Sequence, residues 1–411
     1  MIALPGYQIT AKIYESANSL IYRCIRLRDR QPVVLKILKQ DYLSPNELAR
    51  YKQEYEVTHS LNIDGVVKAL GVEKYQNTLA IVFEDCGGDS LLNLMAKKQL
   101  SLEEFLSLAV RIAEIIGEIH AANIIHQNIN PSNLMFNPET GQVKLIDFGI
   151  STVLSQGSVG IVNTNFLEGN LTYISPEQTG RMNRAVDYRT DFYSLGVTLY
   201  EMLLQQTPFA AADPMELVHC HIAKQPIPPW ELNPQIPKVI SDIVMKLLAK
   251  TPEERYQSAW GIQADLVLCL MQLEANDYIE DFQPGENDVS NRFQIPQKLY
   301  GREAEIGVLI AALQRIFEGN KEMMLVSGYS GIGKSSLVRE ICQPVFCQQG
   351  YFTFGNCDRL QRNVPYSGLT TALVGLIRQL LAESESRLQQ WRDKLTAAMG
   401  GRQVPPGRNH S

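Results

Sequence analysis

The sequence lacks the features that mark an exported, disulfide-bonded or membrane-spanning chain. Its seven cysteines, at positions 24, 86, 220, 269, 342, 347 and 357, are odd in number, with no C-x-x-C pair and no metal-ligand spacing. Reduced, buried thiols of a cytoplasmic protein are therefore expected. The opening Met1-Ile2-Ala3-Leu4-Pro5-Gly6-Tyr7 has no basic start and no long apolar core. No later run reaches about 18 apolar residues, so neither export nor a membrane span is indicated. A basic excess is also missing: the formal net charge of -6 argues against a dedicated nucleic-acid binder. What is present, 45% hydrophobic and 20% charged residues over 411 positions, suits a soluble globular protein of two or three domains.

Strand-like runs come first: Tyr7 to Tyr14, Leu20 to Leu27, Pro32 to Leu38 and Leu79 to Glu84, with a helical stretch from Ala49 to Leu61. From Ser101 the period becomes helical, with Leu102, Phe105, Leu106, Ala109, Ile112, Ala113, Ile116 and Ile119 on one face. Ser101 and Glu104 predict a capping box at its start. Short strands at Leu134 to Phe136 and Val143 to Ile146 follow, then helices that include Asp191 to Leu204 and Ser241 to Ala249. The order is a β-rich lobe and then an α-rich lobe. The acidic stretch 276–297 lacks apolar periodicity and reads as a linker. A second, α/β unit opens near Leu299, with a strand at Met323 to Ser327, a Gly-rich turn and a helix from Lys334. The polar tail 400–411 reads as disordered.

Phosphoryl transfer needs a cation on the phosphates, oxygen ligands for Mg2+ and a group that orients the attacking hydroxyl. Lys36 lies on a predicted strand in Val33-Val34-Leu35-Lys36, and Glu54 follows on the helix. The run Ile124-Ile125-His126-Gln127-Asn128-Ile129-Asn130-Pro131-Ser132-Asn133 precedes Asp147-Phe148-Gly149. Ser175-Pro176-Glu177 and Asp191-Phe192-Tyr193-Ser194-Leu195-Gly196 come after. In order and spacing these residues resemble the Ser/Thr protein-kinase motif set over roughly residues 7–275.

The resemblance implies that Lys36 and Glu54 form the family's ion pair, that Asn133 and Asp147 ligate Mg2+, and that Glu84 to Cys86 form the hinge at adenine, with Phe83 behind it. It likewise implies a buried Glu177–Arg255 pair and an anchoring role for Asp191. Three positions depart from the pattern. Asn128 stands where the family's catalytic Asp orients the hydroxyl; a lost general base typically costs about 10²- to 10⁴-fold in rate. Asn130 replaces the usual Lys and Asn170 the usual Thr of the same network. The phosphate-covering loop lacks Gly at positions 14, 16 and 19, so its backbone should approach phosphates less closely. Ser151, Thr152, Ser155, Ser158 and Thr164 read as hydroxyls of a solvated loop rather than as phosphorylation sites.

In the second unit, Gly328-Tyr329-Ser330-Gly331-Ile332-Gly333-Lys334-Ser335 matches G-x-x-x-x-G-K-[ST]. Loop N–H groups, including those about Gly328, Gly331 and Gly333, would cradle phosphates; Lys334 would reach the β/γ-phosphates and Ser335 would ligate Mg2+. Tyr351 to Asp358 reads as a neighbouring strand. A kinase fold followed by Leu299-Tyr300-Gly301-Arg302-Glu303-Ala304-Glu305, this P-loop and Gln361-Arg362-Asn363-Val364-Pro365-Tyr366-Ser367 resembles large bacterial hybrid serine/threonine–histidine sensor kinases. So does the tract Tyr173 to Phe209, which includes the run Ile174 to Arg184. In that pattern the chain stops inside the ATPase and reads as truncated.

The expectation is thus an α+β, bilobal protein-kinase fold over residues 1–275, a linker over 276–297, and the N-terminal part of an AAA-like P-loop ATPase over 298–399. Its cofactors would be ATP and Mg2+. Its partners would be a protein substrate or signalling protein, with no nucleic acid and no membrane. Two activities stay open: a weakened cytoplasmic Ser/Thr protein kinase, or a pseudokinase acting as a nucleotide-gated binding module.

Overall fold

The computed structural model describes residues 4–15, 19–39, 45–75, 78–153, 170–180, 185–211, 213–289, 301–329, 331–341, 344–345, 350–355, 366–381 and 385–398. The chain divides into two compact units, residues 1–180, 184–208 and 226–296 in one and residues 181–183, 209–225 and 297–411 in the other.

In the first unit, β1 (Tyr7–Glu15), β2 (Ser19–Arg26), β3 (Gln31–Leu38), β4 (Ala69–Tyr75) and β5 (Thr78–Glu84) make one antiparallel sheet in the order β1-β2-β3-β5-β4. The strand period separates its faces. Val33, Leu35 and Ile37 join Cys24, Ala80 and Val82 in one apolar cluster. Val34 and Leu38 turn the other way, to Tyr51, Ile81, Phe83 and Tyr55. Tyr51 and Tyr55 belong to α1 (Pro45–Ser60), so that helix covers the face from which Lys36 projects. β4 has no counterpart among the sequence-read strands. Its Leu70 and Val72 are exposed and its Gly71 sits beside a register shift, so it shows no clean apolar alternation.

The helical lobe follows, with β6 (Asp89–Ser90), α2 (Leu91–Lys97) and α3 (Leu102–Ala121). The capping box is formed: Glu104 N–H donates to Ser101 Oγ at 3.1 Å, and Ser101 N–H to Glu104 Oε2 at 3.0 Å. Seven of the eight residues read as the apolar face of α3 are buried, and Leu102 packs against them half-buried. Next come β7 (Ile124–Ile125), the hairpin β8 (Leu134–Asn137) and β9 (Gln142–Leu145), and β10 (Thr152–Val153), which pairs with β7. α4 (Arg189–Leu204) is buried nearly all round, as a helix through the middle of a lobe must be.

The second unit takes in α5 (Pro214–Ala223), whose start is capped by Asp213 through Met215 N–H. The first unit closes with α6 (Pro229–Leu232), α7 (Lys238–Leu247) and α8 (Ala259–Asn276). The described part of the stretch read as a free linker is packed. Ile279 is 3% exposed and joins the core, with Phe282 against it. Gly285 N–H donates to Asp265 Oδ2 at 2.6 Å, Lys246 Nζ to the Pro284 carbonyl at 2.8 Å, and Ser258 Oγ to Asp288 Oδ1 at 2.7 Å. Two apolar anchors and these polar ties order an acidic segment that has no period.

The second unit also contains α9 (Glu303–Phe317), α10 (Lys334–Arg339), α11 (Ser367–Leu381) and α12 (Glu385–Ala398). Lys334 begins a helix as expected. Met323 to Ser327 does not form the expected strand, and Met323 and Leu325 are 95% and 90% exposed. Nor do residues 351–355 form a strand; the remainder of that expected strand, and the tail 400–411, lie outside the described residues. A strand needs a ladder partner, and among its described residues this unit offers none. Among the described residues no helix is long and apolar enough to cross a membrane.

Candidate active site

Lys36 is set at the middle of β3 by its register, opposite Ile21 of β2 and Ile81 of β5. Its side chain leaves the sheet on the α1 side, where its Nζ is 2.6 Å from Glu54 Oε1 and 2.9 Å from Asp147 Oδ1. Tyr51 locks this junction, donating its hydroxyl to the Lys36 carbonyl and accepting Ile81 N–H at 3.1 Å. Burial works against the Lys36 charge, but Asp147 and Glu54 outweigh it and raise its pKa. Lys36 in turn holds the Asp147 carboxyl below the usual carboxylate range, against burial. Glu54, buried and close to Asp147, is raised despite Lys36.

The loop between β7 and β8 hangs from Asp191, which is fully buried on α4. Asp191 accepts His126 N–H at 2.9 Å, Gln127 N–H at 2.7 Å and His120 Nε2–H at 2.8 Å. His126 donates from Nε2 to the Ile146 carbonyl at 3.1 Å and accepts Asn128 N–H at Nδ1, 3.2 Å away. Burial pushes this imidazole down, so it is neutral and ties Asn128 to the segment that carries Asp147.

Asn128 is held at both ends of its amide. Its Nδ2 donates to Asp147 Oδ2 at 3.1 Å, and its Oδ1 accepts Asn130 Nδ2 at 3.1 Å. Asn130 is itself oriented by Ser132 N–H, which donates to its Oδ1 at 2.9 Å. Asn133 Nδ2 donates to the Asn128 carbonyl at 2.9 Å. Two of the three asparagines singled out from the sequence thus form one network, which Asn170 does not join: it is exposed and makes no side-chain cap at its turn. Asp147 adopts φ 68°, a left-handed conformation uncommon outside glycine.

Where β5 ends, Glu84 Oε1 accepts Lys144 Nζ at 2.6 Å and Lys68 N–H at 3.0 Å, and Cys86, half-buried, gives its carbonyl to Asn137 Nδ2 at 2.8 Å. Sequence reasoning missed Lys144. A lysine between two apolar positions of a four-residue strand, Val143 and Leu145, was the available signal. Glu177 and Arg255 come together with almost no exposure, Nη1 to Oε1 at 2.6 Å and Nη2 to Oε2 at 2.9 Å. Burial would raise Glu177, but Arg255 more than offsets it. Ser151 departs from the solvated-loop reading: it is 2% exposed, and its hydroxyl donates to the Phe148 carbonyl. Ser155, Ser158, Thr164 and the loop positions Ser16 to Asn18 lie outside the described residues.

In the P-loop, Gly331 and Gly333 have φ 83° and 93°, which a side chain would strain. Lys334 Nζ donates to the carbonyls of Gly328 and Tyr329 at 2.8 and 2.7 Å, and Ser335 follows it as the second residue of α10. Of the four described cysteines, Cys24, Cys220 and Cys269 are buried, and burial pushes the Cys24 thiol up to about 11.

Comparison with known proteins agrees with this geometry. The protein kinase domain family matches residues 7–266, and the AAA ATPase domain family matches residues 298–410. This chain belongs to the protein kinase domain family, with an AAA-type domain after the kinase domain. It is 30% identical to hybrid signal transduction histidine kinase G of Dictyostelium discoideum, over 75% of this chain and 12% of that protein. It is 34% identical to a probable serine/threonine-protein kinase of Clostridium perfringens, over 63% of this chain and 38% of the relative. Against serine/threonine-protein kinase PknB of Mycobacterium tuberculosis the identity is 30%, over 59% and 39%. The chain thus spans an eighth to two fifths of these relatives. Both halves of the expected resemblance, to bacterial Ser/Thr kinases and to hybrid kinases, are borne out.

Proposed function

We propose that the chain is a Mg-ATP-binding serine/threonine protein kinase domain of a cytoplasmic signalling protein, with transfer slowed because Asn128 occupies the position of the catalytic Asp. One observation carries the reading: Lys36 contacts Glu54 and Asp147 at once, and kinases need both the lysine–glutamate pair and the metal-binding aspartate in place. Lys36 would meet the α/β-phosphates and the Glu84 to Cys86 backbone the adenine. Asn133 and Asp147 would hold Mg2+. An amide oxygen and a carboxylate are hard donors of the kind Mg2+ takes beside water and phosphate, so the residues fit the ion. When bound, the ion neutralises charge on the phosphates. The protein acted on would present a serine or threonine hydroxyl. In domain terms the kinase would occupy 1–275, with the docked part of 276–297 as a strap, and the AAA-like segment 298–399. There Gly328, Gly331, Gly333, Lys334 and Ser335 would take a second Mg-nucleotide.

A second reading, a pseudokinase acting as a nucleotide-gated binding module, is favoured by the Asn128 amide: its Nδ2 and Oδ1 are engaged by Asp147 and Asn130. Phosphate transfer from labelled ATP to a generic protein and to the chain itself decides between them, with Asp147→Ala as the blank. Transfer by the wild type above that blank establishes a slow kinase. Mg-ATP binding without transfer, with activity appearing in Asn128→Asp, establishes the binding module.

A further inference from the structure

The orientation of the Asn128 amide follows from a backbone group that cannot flip. Ser132 N–H can only donate, so the Asn130 atom facing it is Oδ1 and the atom facing Asn128 is Nδ2. Asn128 must then present Oδ1 to Asn130 and Nδ2 to Asp147. The ionised Asp147 accepts only, which agrees from the other end. Lys36 holds Asp147 Oδ1 and Asn128 holds Oδ2, so each carboxylate oxygen already has a protein donor.

We infer that Asn128 is a positioning residue that takes over part of a divalent cation's task at Asp147, so that nucleotide binding in the kinase domain depends only weakly on Mg2+. The inference rests on the nucleotide-binding reading above. A carboxylate at position 128 would face Asp147 and the phosphates as a third negative group, and only a cation could then relieve the repulsion. A neutral donor removes that repulsion and replaces it with a hydrogen bond to a charged acceptor. Asn133 Oδ1 and the second lone pairs of Asp147 remain able to receive Mg2+, so the ion is made less necessary rather than shut out.

The test is ATP affinity of the full-length chain by calorimetry, in Mg2+ and in EDTA, with Lys334→Ala throughout so that the P-loop does not contribute. The quantity read is the ratio of the two dissociation constants. In the Asn128-containing chain the ratio is expected to stay within about threefold, and Asn128→Asp to raise it by about tenfold or more, chiefly by weakening binding in EDTA. Asn128→Ala, which removes the donor without adding charge, should weaken binding in EDTA by a few-fold. Equal ratios in the Asn128 and Asn128→Asp chains, or unchanged EDTA binding in Asn128→Ala, overturn the inference while leaving nucleotide binding intact. Absence of ATP binding in both media sinks the nucleotide-binding reading and this inference with it.

Discussion

Lys36 Nζ sits 2.6 Å from Glu54 Oε1, joining the centre of the sheet to the helix that covers it. Glu54 is 3% exposed, so its carboxylate works on Lys36 with little screening by water. Glu54→Gln keeps the shape and removes the charge. It leaves an acceptor oxygen beside Lys36 but withdraws the negative charge, and is expected to weaken ATP binding by about tenfold as a charge-assisted hydrogen bond becomes an ordinary one. Calorimetry in the Lys334→Ala chain measures it, and unchanged affinity would show that the pair does not prepare the site.

Arg255 and Glu177 present a different case, because this pair is structural. Arg255 also donates to the carbonyls of Ala249, Arg189 and Lys250, so it ties the segment around Glu177 to the start of α4 and to the turn after α7. Removing one partner leaves a buried charge unpaired, at a cost of about 3–5 kcal/mol. Arg255→Leu should therefore lower the melting temperature by on the order of 10 °C. A drop of only a degree or two would mean that water or another cation reaches Glu177.

The elements that carry the site were legible because their signals are local. The apolar run from Pro32 to Leu38 gave the strand of Lys36, the Ser101–Glu104 box gave the start of α3, and the spacing of Asn133 and Asp147 gave the loops between short strands. The direction of the Asn128 amide was not legible, since it follows from Ser132 N–H through Asn130, a relay that exists only once the loop has its shape. The docking of residues 277–288 escaped for a similar reason: Ile279 and Phe282 are two apolar residues among acids, and their partners lie on helices far back in the chain. Met323 to Ser327 shows the reverse failure. Apolar sequence makes a strand only where a neighbouring strand supplies the ladder.

His126 gives the pH dependence of stability a definite sign. Its folded pKa lies below the ordinary value of about 6.5, because burial disfavours the imidazolium, with Asp191 and Asp147 opposing. Below about pH 6.5 the unfolded chain binds the proton more readily than the folded one, so this contribution is present at neutral pH and is lost as the pH falls. The slope is at most about 1.4 kcal/mol per pH unit for one group. Urea midpoints at pH 7.5 and 5.5 should differ more for the wild type than for His126→Asn. Parallel shifts in the two proteins would assign the acid sensitivity to other groups.

Gly261 separates two opposing effects at the start of α8. A Cβ there would stand 2.4 Å from Asp288 Oδ1 and 2.8 Å from Asp288 Cβ, while Asp288 accepts Ser258 Oγ and Gln257 N–H. Alanine gains up to about 1 kcal/mol of helix propensity over glycine. Overpacking costs about 1–3 kcal/mol, and displacing Asp288 adds the loss of its two hydrogen bonds. The clash should win, so Gly261→Ala is expected to destabilise the chain and to speed proteolysis between Ile279 and Asp288. Asp288→Gly removes both the carboxylate and the Cβ that the new methyl would strike, and in that background Gly261→Ala should become neutral or stabilising. The sign reversal is the diagnostic result, read from urea midpoints of the four proteins in a double-mutant cycle. If Gly261→Ala destabilises equally in both backgrounds, the glycine is required for the backbone of α8 itself and not for the docked segment.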